Sequence, residues 1–64
     1  MPLSPAQLAS LSSQLGQLAE QITHTADELV AIKRNDLGME LYGVERALLN
    51  AARKVDRVVS SLED

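Results

Sequence analysis

The sequence predicts an all-α fold, an antiparallel coiled-coil-like hairpin of two helices that is expected to homodimerise into a four-helix bundle. Three observations predict it. Apolar residues in the first half recur at alternating spacings of three and four, which is typical of a helix packed along a seam. The second half carries a similar series in a new phase. The 64 residues are 45% hydrophobic with no Phe or Trp and one Tyr, a composition that suits helix packing.

Helix 1 is predicted from about residue 5 to residue 34. Ser4 and Pro5 provide an N-cap and a proline at the first helical position. Two series then share the helix with the same average spacing of 3.5 residues. The first series consists mostly of large apolar residues: Leu8, Leu11, Leu15, Leu18, Ile22, Thr25, Leu29 and Ile32. The second series consists mostly of small residues: Ala9, Ser12, Gly16, Ala19, Thr23, Ala26 and Val30.

A turn is predicted at about residues 35–37, followed by helix 2 at about 37–62. The large series changes phase here, Asn35 is suited to a left-handed helix cap, and Asp36 is suited to an N-cap. Placing the large seams of the two helices face to face gives one constant register, from Ile32 opposite Leu41 to Leu11 opposite Leu62. The whole chain, residues 1–64, is then one helical hairpin.

The small series predicts a second helical contact, because a two-helix hairpin hides only one of two apolar edges. We expect two hairpins to pack through this flank as a homodimer. The alternative is that the alanines are simply good helix formers on a solvated face. The predicted dimer interface comprises Ala9, Ser12, Gly16, Ala19, Thr23, Ala26 and Val30 of helix 1 with Tyr42, Leu49, Ala52 and Val59 of helix 2. The sequence does not distinguish a parallel from an antiparallel dimer.

Four of the six basic residues lie in helix 2, at Arg46, Arg53, Lys54 and Arg57. This basic cluster is suited to binding another protein or an anionic ligand, and surface ion pairs with nearby acids are the simpler alternative. The net charge of −3 argues against nucleic-acid binding, which requires neutralisation of phosphates.

Catalytic and metal-binding patterns are not evident. His24 is the one histidine, and it lies among acidic residues on the predicted solvent side. A metal site built from it is disfavoured for that reason, and without cysteine there is no thiolate site. Tyr42 is predicted to anchor an interface. We therefore expect a protein that is not an enzyme and uses no cofactor or metal.

The sequence favours a small protein-interaction or regulatory module that acts as a homodimer and binds another protein. Two alternatives remain: a sensor of an anionic, nucleotide-like ligand that uses the basic cluster, and a subunit of a heteromeric helical bundle. No signal peptide or membrane span is recognised, so a cytoplasmic location is expected.

Overall fold

The computed structural model describes residues 4–63, which form two helices joined by a three-residue turn. Helix α1 is Pro5–Ala31 and helix α2 is Asn35–Glu63, and there is no strand in the described range. The helices run antiparallel along their whole length in a rod with extents of 49 × 13 × 13 Å. The predicted all-α hairpin is confirmed for these residues, and the predicted hairpin's residues 1–3 and 64 lie outside them.

Helix α1 begins where the sequence predicts. Ser4 is the N-cap with an extended backbone (φ −129°, ψ 128°), and Pro5 is the first helical residue. The amide of Leu8 donates to the Ser4 carbonyl at 3.2 Å, which closes the first turn. The Ser4 side chain makes no capping hydrogen bond, so the start rests on the fixed φ of proline.

The turn lies earlier than predicted, at residues 32–34 instead of 35–37. Lys33 takes the left-handed conformation (φ 65°) that had been expected at Asn35. Its amide donates to the Val30 carbonyl at 2.9 Å, and the Arg34 amide donates to the Leu29 carbonyl at 2.8 Å. These two bonds form a Schellman motif, which satisfies the last carbonyls of α1 and ends it at Ala31 instead of residue 34.

Helix α2 consequently begins at Asn35, two residues before the predicted start, and ends at Glu63. The Arg34 side chain donates two hydrogen bonds of 3.4 Å to the carboxylate of Asp36 in the first turn. Together with a hydrogen bond from the Leu37 backbone, this contact holds the pKa of Asp36 below its usual range. An acid is also favoured at this end of the helix by the macrodipole.

The two helices meet through small residues. The Ser12 hydroxyl donates to the Ala52 carbonyl at 3.2 Å across the buried contact. Leu11 had been expected level with Leu62, whereas the contacts at Ser12 and Gly38 place α2 about two turns away from the predicted register. The predicted register was wrong because the chain reverses at residues 32–34, and the predicted facing was wrong because small residues, and not the large series, lie between the helices.

Gly38 lies at a close approach between the helices. A Cβ atom added there would lie 2.7 Å from Cγ2 of Val30 and 3.2 Å from the carbonyl oxygen of Ala26. Only glycine fits without displacing α1, because real Cβ atoms do not approach other atoms so closely. A larger residue at this position would therefore change how α2 packs on α1.

Candidate interaction surface

Five of the eleven residues predicted to bind a second copy lie inside the hairpin. Ala26 is fully buried, and Ala19 is 2% exposed, between the two helices. This corrects the predicted dimer interface, because residues buried in the protomer are not available to a partner. Five of the predicted residues are buried in this way: Ser12, Ala19, Ala26, Ala52 and Val59.

The remaining predicted residues lie at the edges of that contact. Gly16, Thr23 and Leu49 line a shallow open groove on one side of the hairpin. A Cβ at Gly16 would meet nothing within 4 Å, so this glycine does not serve close approach within the hairpin. Ala9 and Val30 are exposed on the same helix edge.

Tyr42 acts within the hairpin and not as a free surface anchor. It is half-buried, and its hydroxyl donates a hydrogen bond to the carboxylate of Asp27 on the other helix. This hydrogen bond is the largest cause of the raised pKa of Tyr42, followed by partial desolvation and the negative charge of Asp27. The contact joins the helices near the turn.

The large apolar residues occupy the opposite side, where the sequence had not placed a free surface. The groove is lined by one long edge of each helix. The opposite edges of the two helices therefore lie side by side on the other face of the hairpin. Four rows spaced seven residues apart cover this side, and 14 of their 16 positions are Leu, Ile or Val. We call these 14 residues the leucine face: Leu8, Leu11, Leu15, Leu18, Ile22, Leu29, Ile32, Leu37, Leu41, Val44, Leu48, Val55, Val58 and Leu62.

Half of the leucine face is openly exposed. Seven of its members retain between 40% and 68% of their surface, namely Leu11, Leu18, Ile32, Leu37, Val44, Val58 and Leu62. Among residues 4–63 the buried apolar residues are only Ala19, Ala26, Ala52 and Val59. The accessible surface of 4816 Å² exceeds the roughly 4,000 Å² expected for a compact chain of this mass.

Covering the leucine face contributes apolar free energy of the same order as the cost of association. Fully burying a Leu, Ile or Val contributes about 1.5–3 kcal/mol, so the exposed half of each contributes about 0.7–1.5 kcal/mol. Seven such residues give about 5–10 kcal/mol per protomer, or about 10–20 kcal/mol for two protomers. Association costs roughly 4–15 kcal/mol, so the apolar term is comparable with or larger than its cost.

The basic cluster is exposed and extends along one side of α2. Arg53 and Arg57 line a shallow depression with Asp56, Ser60 and Ser61. Helix geometry places Arg46, Arg53 and Arg57 on one stripe of α2, with Lys54 about a quarter-turn away, and Arg46 lies roughly 10 Å along the axis from Arg53. The ion pairs within residues 4–63 are His24–Glu28 and Arg34–Asp36, and neither involves the cluster.

The described residues present no metal-binding arrangement. His24 is strongly exposed and lies 3.4 Å from Glu28 one turn later. In the described part of the chain, no group of three or more His, Cys, Asp or Glu side chains is placed to hold an ion. Neither helix, over those same residues, combines the length and hydrophobicity needed to cross a bilayer.

These features define an all-α helical hairpin with an uncovered apolar face. The chain matches no protein-family model, and neither the curated proteins nor the solved structures contain a match to it. The leucine face is thus the observation from which a function is argued.

Proposed function

We propose that this protein is a non-enzymatic protein-interaction or regulatory module that acts as a homodimer, with two leucine faces packed together as a four-helix bundle. The single observation that supports the proposal is the leucine face, which runs along both helices and is half exposed at seven positions. Large contiguous apolar surfaces on a soluble monomer mark interaction sites. The sequence-based expectation of a homodimer is kept, but its surface changes from the small flank to the leucine face.

A second copy is the partner that fits this face best. Its rows repeat every seven residues on both helices, which is the repeat required for side chains of one helix to fill holes on another. A twofold axis places identical faces against each other, so the same long surface is complementary to itself. The result is the layered core of a four-helix bundle, with the small residues inside each hairpin and the large residues between hairpins.

Sedimentation of the purified chain tests the homodimer directly. We expect a mass of twice 6.9 kDa at micromolar concentration, decreasing on dilution. Leu18→Gln and Leu49→Gln form a matched pair, since Leu18 is 47% exposed on the leucine face and Leu49 is 39% exposed beside the groove. Leu18→Gln is expected to weaken dimerisation by about 1.5–3 kcal/mol, because each dimer loses two buried leucines.

Leu49→Gln is expected to leave the dimer within about 0.5 kcal/mol of the native affinity. If Leu49→Gln weakened dimerisation more than Leu18→Gln, the dimer interface would lie on the groove side of the hairpin. A native chain that is folded and monomeric at every concentration would refute the homodimer and leave the heteromeric bundle, in which a different protein covers the leucine face.

An anionic-ligand sensor is the second candidate, and one observation favours it. Arg53 and Arg57 line a depression with Ser60, Ser61 and one acid, Asp56, and neither arginine forms an ion pair within residues 4–63. Guanidinium and hydroxyl groups together bind phosphate-like anions. A saturable rise in melting temperature with an anionic nucleotide, abolished by Arg53→Ala, would support this function, and no rise would exclude it. The cytoplasmic location expected from the sequence remains a proposal.

A further inference from the structure

The charges of the hairpin are divided along its length. The half nearest the turn, residues 20–45, holds six acidic and two basic residues, which leaves four net negative charges. Residues 4–19 of α1 carry no charge, and residues 46–62 of α2 hold four basic residues and one acid, which leaves three net positive charges. Glu63 and Asp64 add two acids beyond that segment. The half of the hairpin nearest the turn is therefore acidic, and residues 46–62 in the other half are basic.

The charged rim of the leucine face distinguishes two ways of pairing hairpins. On each helix the rim is the row just outside the exposed leucine and valine rows, and it contains Glu28 on α1 with Glu40 and Lys54 on α2. All three side chains are exposed. Two symmetric bundles are available, one with both turns at the same end and one with the turns at opposite ends.

With both turns at one end, α1 of one protomer packs against α2 of its partner in the register of the hairpin itself. In that register Ser12 lies level with Ala52, and Gly38 lies level with residues 26–30. Glu28 of each protomer would then face Glu40 of the other, twice per dimer. Like charges at such flanking positions oppose association.

With the turns at opposite ends, each helix packs against its own copy. The twofold axis is then perpendicular to α2 and passes near its middle. Glu40 of one protomer and Lys54 of the other lie within about one helical turn of each other along the axis of α2, twice per dimer. The acidic turn half of each hairpin also lies over the basic segment of its partner. We propose that the dimer is antiparallel, with the two turns at opposite ends and Glu40 paired with Lys54 across the interface. This inference rests on the homodimer proposed above.

A distance between spin labels at Ala31 tests the orientation. Ala31 is exposed at the turn end of α1, and the chain has no cysteine, so Ala31→Cys gives one label per protomer without changing charge. In the antiparallel dimer the two labels lie one α1 length apart, about 40 Å at 1.5 Å per residue. With both turns at one end they lie within about 25 Å, because neighbouring helix axes are 8–10 Å apart.

A distance near 40 Å by double electron–electron resonance supports the antiparallel dimer. A distance below about 25 Å refutes the orientation while leaving the homodimer intact. No dipolar coupling, together with monomeric sedimentation, refutes the homodimer and the orientation with it. The two failures are therefore distinguishable.

Charge reversal at Glu40 gives a second test whose sign depends on orientation. In the antiparallel dimer Glu40→Lys replaces an attraction by a repulsion from Lys54 of the other protomer, and we expect roughly three- to tenfold weaker dimerisation at low salt. With the turns together, the same change places a lysine opposite Glu28 and strengthens the dimer. Glu20→Lys is the matched control, since Glu20 is an exposed acid of the turn half that lines the groove on the other side.

The control is expected to change the dissociation constant by less than about twofold, and Glu40→Lys with Lys54→Glu is expected to restore the native affinity. Tighter dimerisation by Glu40→Lys overturns the proposal. So does an effect of Glu20→Lys as large as that of Glu40→Lys, because overall charge would then explain both.

Discussion

Replacing Gly38 by alanine is expected to destabilise the hairpin, although alanine is the better helix former. On an open helix the exchange would gain about 1 kcal/mol. Here the new Cβ would lie 2.7 Å from Val30 and 3.2 Å from the backbone oxygen of Ala26. Overpacking of this kind costs about 1–3 kcal/mol, because a backbone oxygen and a β-branched side chain do not move aside freely. We expect a net loss of up to about 2 kcal/mol.

Gly16→Ala is the matched control for Gly38→Ala. A Cβ at Gly16 meets nothing within 4 Å, so the helix-propensity gain is retained and stability should rise by about 1 kcal/mol. Neither glycine belongs to the leucine face, so dimerisation through that face should affect both variants alike. Urea unfolding followed by far-ultraviolet circular dichroism, at one fixed protein concentration, measures the difference.

The two glycine variants should differ in the sign of their effect. Equal stabilisation by Gly38→Ala and Gly16→Ala would refute the close approach at Gly38 and, with it, the register of the hairpin. A destabilised Gly16→Ala would show that a partner lies against the groove side. That result would argue against the leucine face as the dimer contact.

Three further predictions concern the turn, the buried contact and the polar bridge. Lys33→Gly should raise the free energy of unfolding by up to about 1 kcal/mol, because glycine adopts the positive φ without strain; unchanged or lower stability would contradict the left-handed turn. Ala19→Leu should cost about 1–3 kcal/mol in urea unfolding, whereas Ala9→Leu on the exposed edge should cost little. Phenolate absorbance should show Tyr42 ionising above pH 10, with Asp27→Asn returning it towards the ordinary pKa.

The raised pKa of Tyr42 also makes the free energy of unfolding depend on pH. The folded state binds the phenolic proton more tightly than the unfolded state does. Stability from this contact is therefore complete below the ordinary tyrosine pKa and is lost as pH rises through the folded pKa. Asp36 behaves oppositely, because its lowered pKa gives stability that is lost as pH falls through the folded value.

Local signals in the sequence were sufficient for the elements themselves. Ser4 and Pro5 mark the start of α1, since a cap and a fixed φ are properties of neighbouring residues. The same reasoning placed the turn too late. Asn35 is a better left-handed residue than Lys33, but the chain reverses at Lys33, and Gly38 of the following helix packs against Ala26 and Val30. Local preference alone therefore did not place the turn.

The spacing of the two apolar series does not indicate which of them packs inside the hairpin. Ala19 and Leu18 belong to series with the same period. A period indicates that a helix face is packed, but it does not indicate which element packs against that face. The structure brings the helices together through the small residues, where backbones approach closely, and leaves Leu18 on the open face. For this reason, the surface proposed for dimerisation could be found only after the hairpin contact was known.

The sequence by itself determined that the chain forms two helices in a hairpin and that they carry more apolar surface than one contact hides. Both facts follow from residue type and spacing along the chain. Only the tertiary structure decided where the chain reverses and which apolar series lies inside. These depend on distances between residues far apart in sequence, such as Gly38 to Ala26 and Ser12 to Ala52.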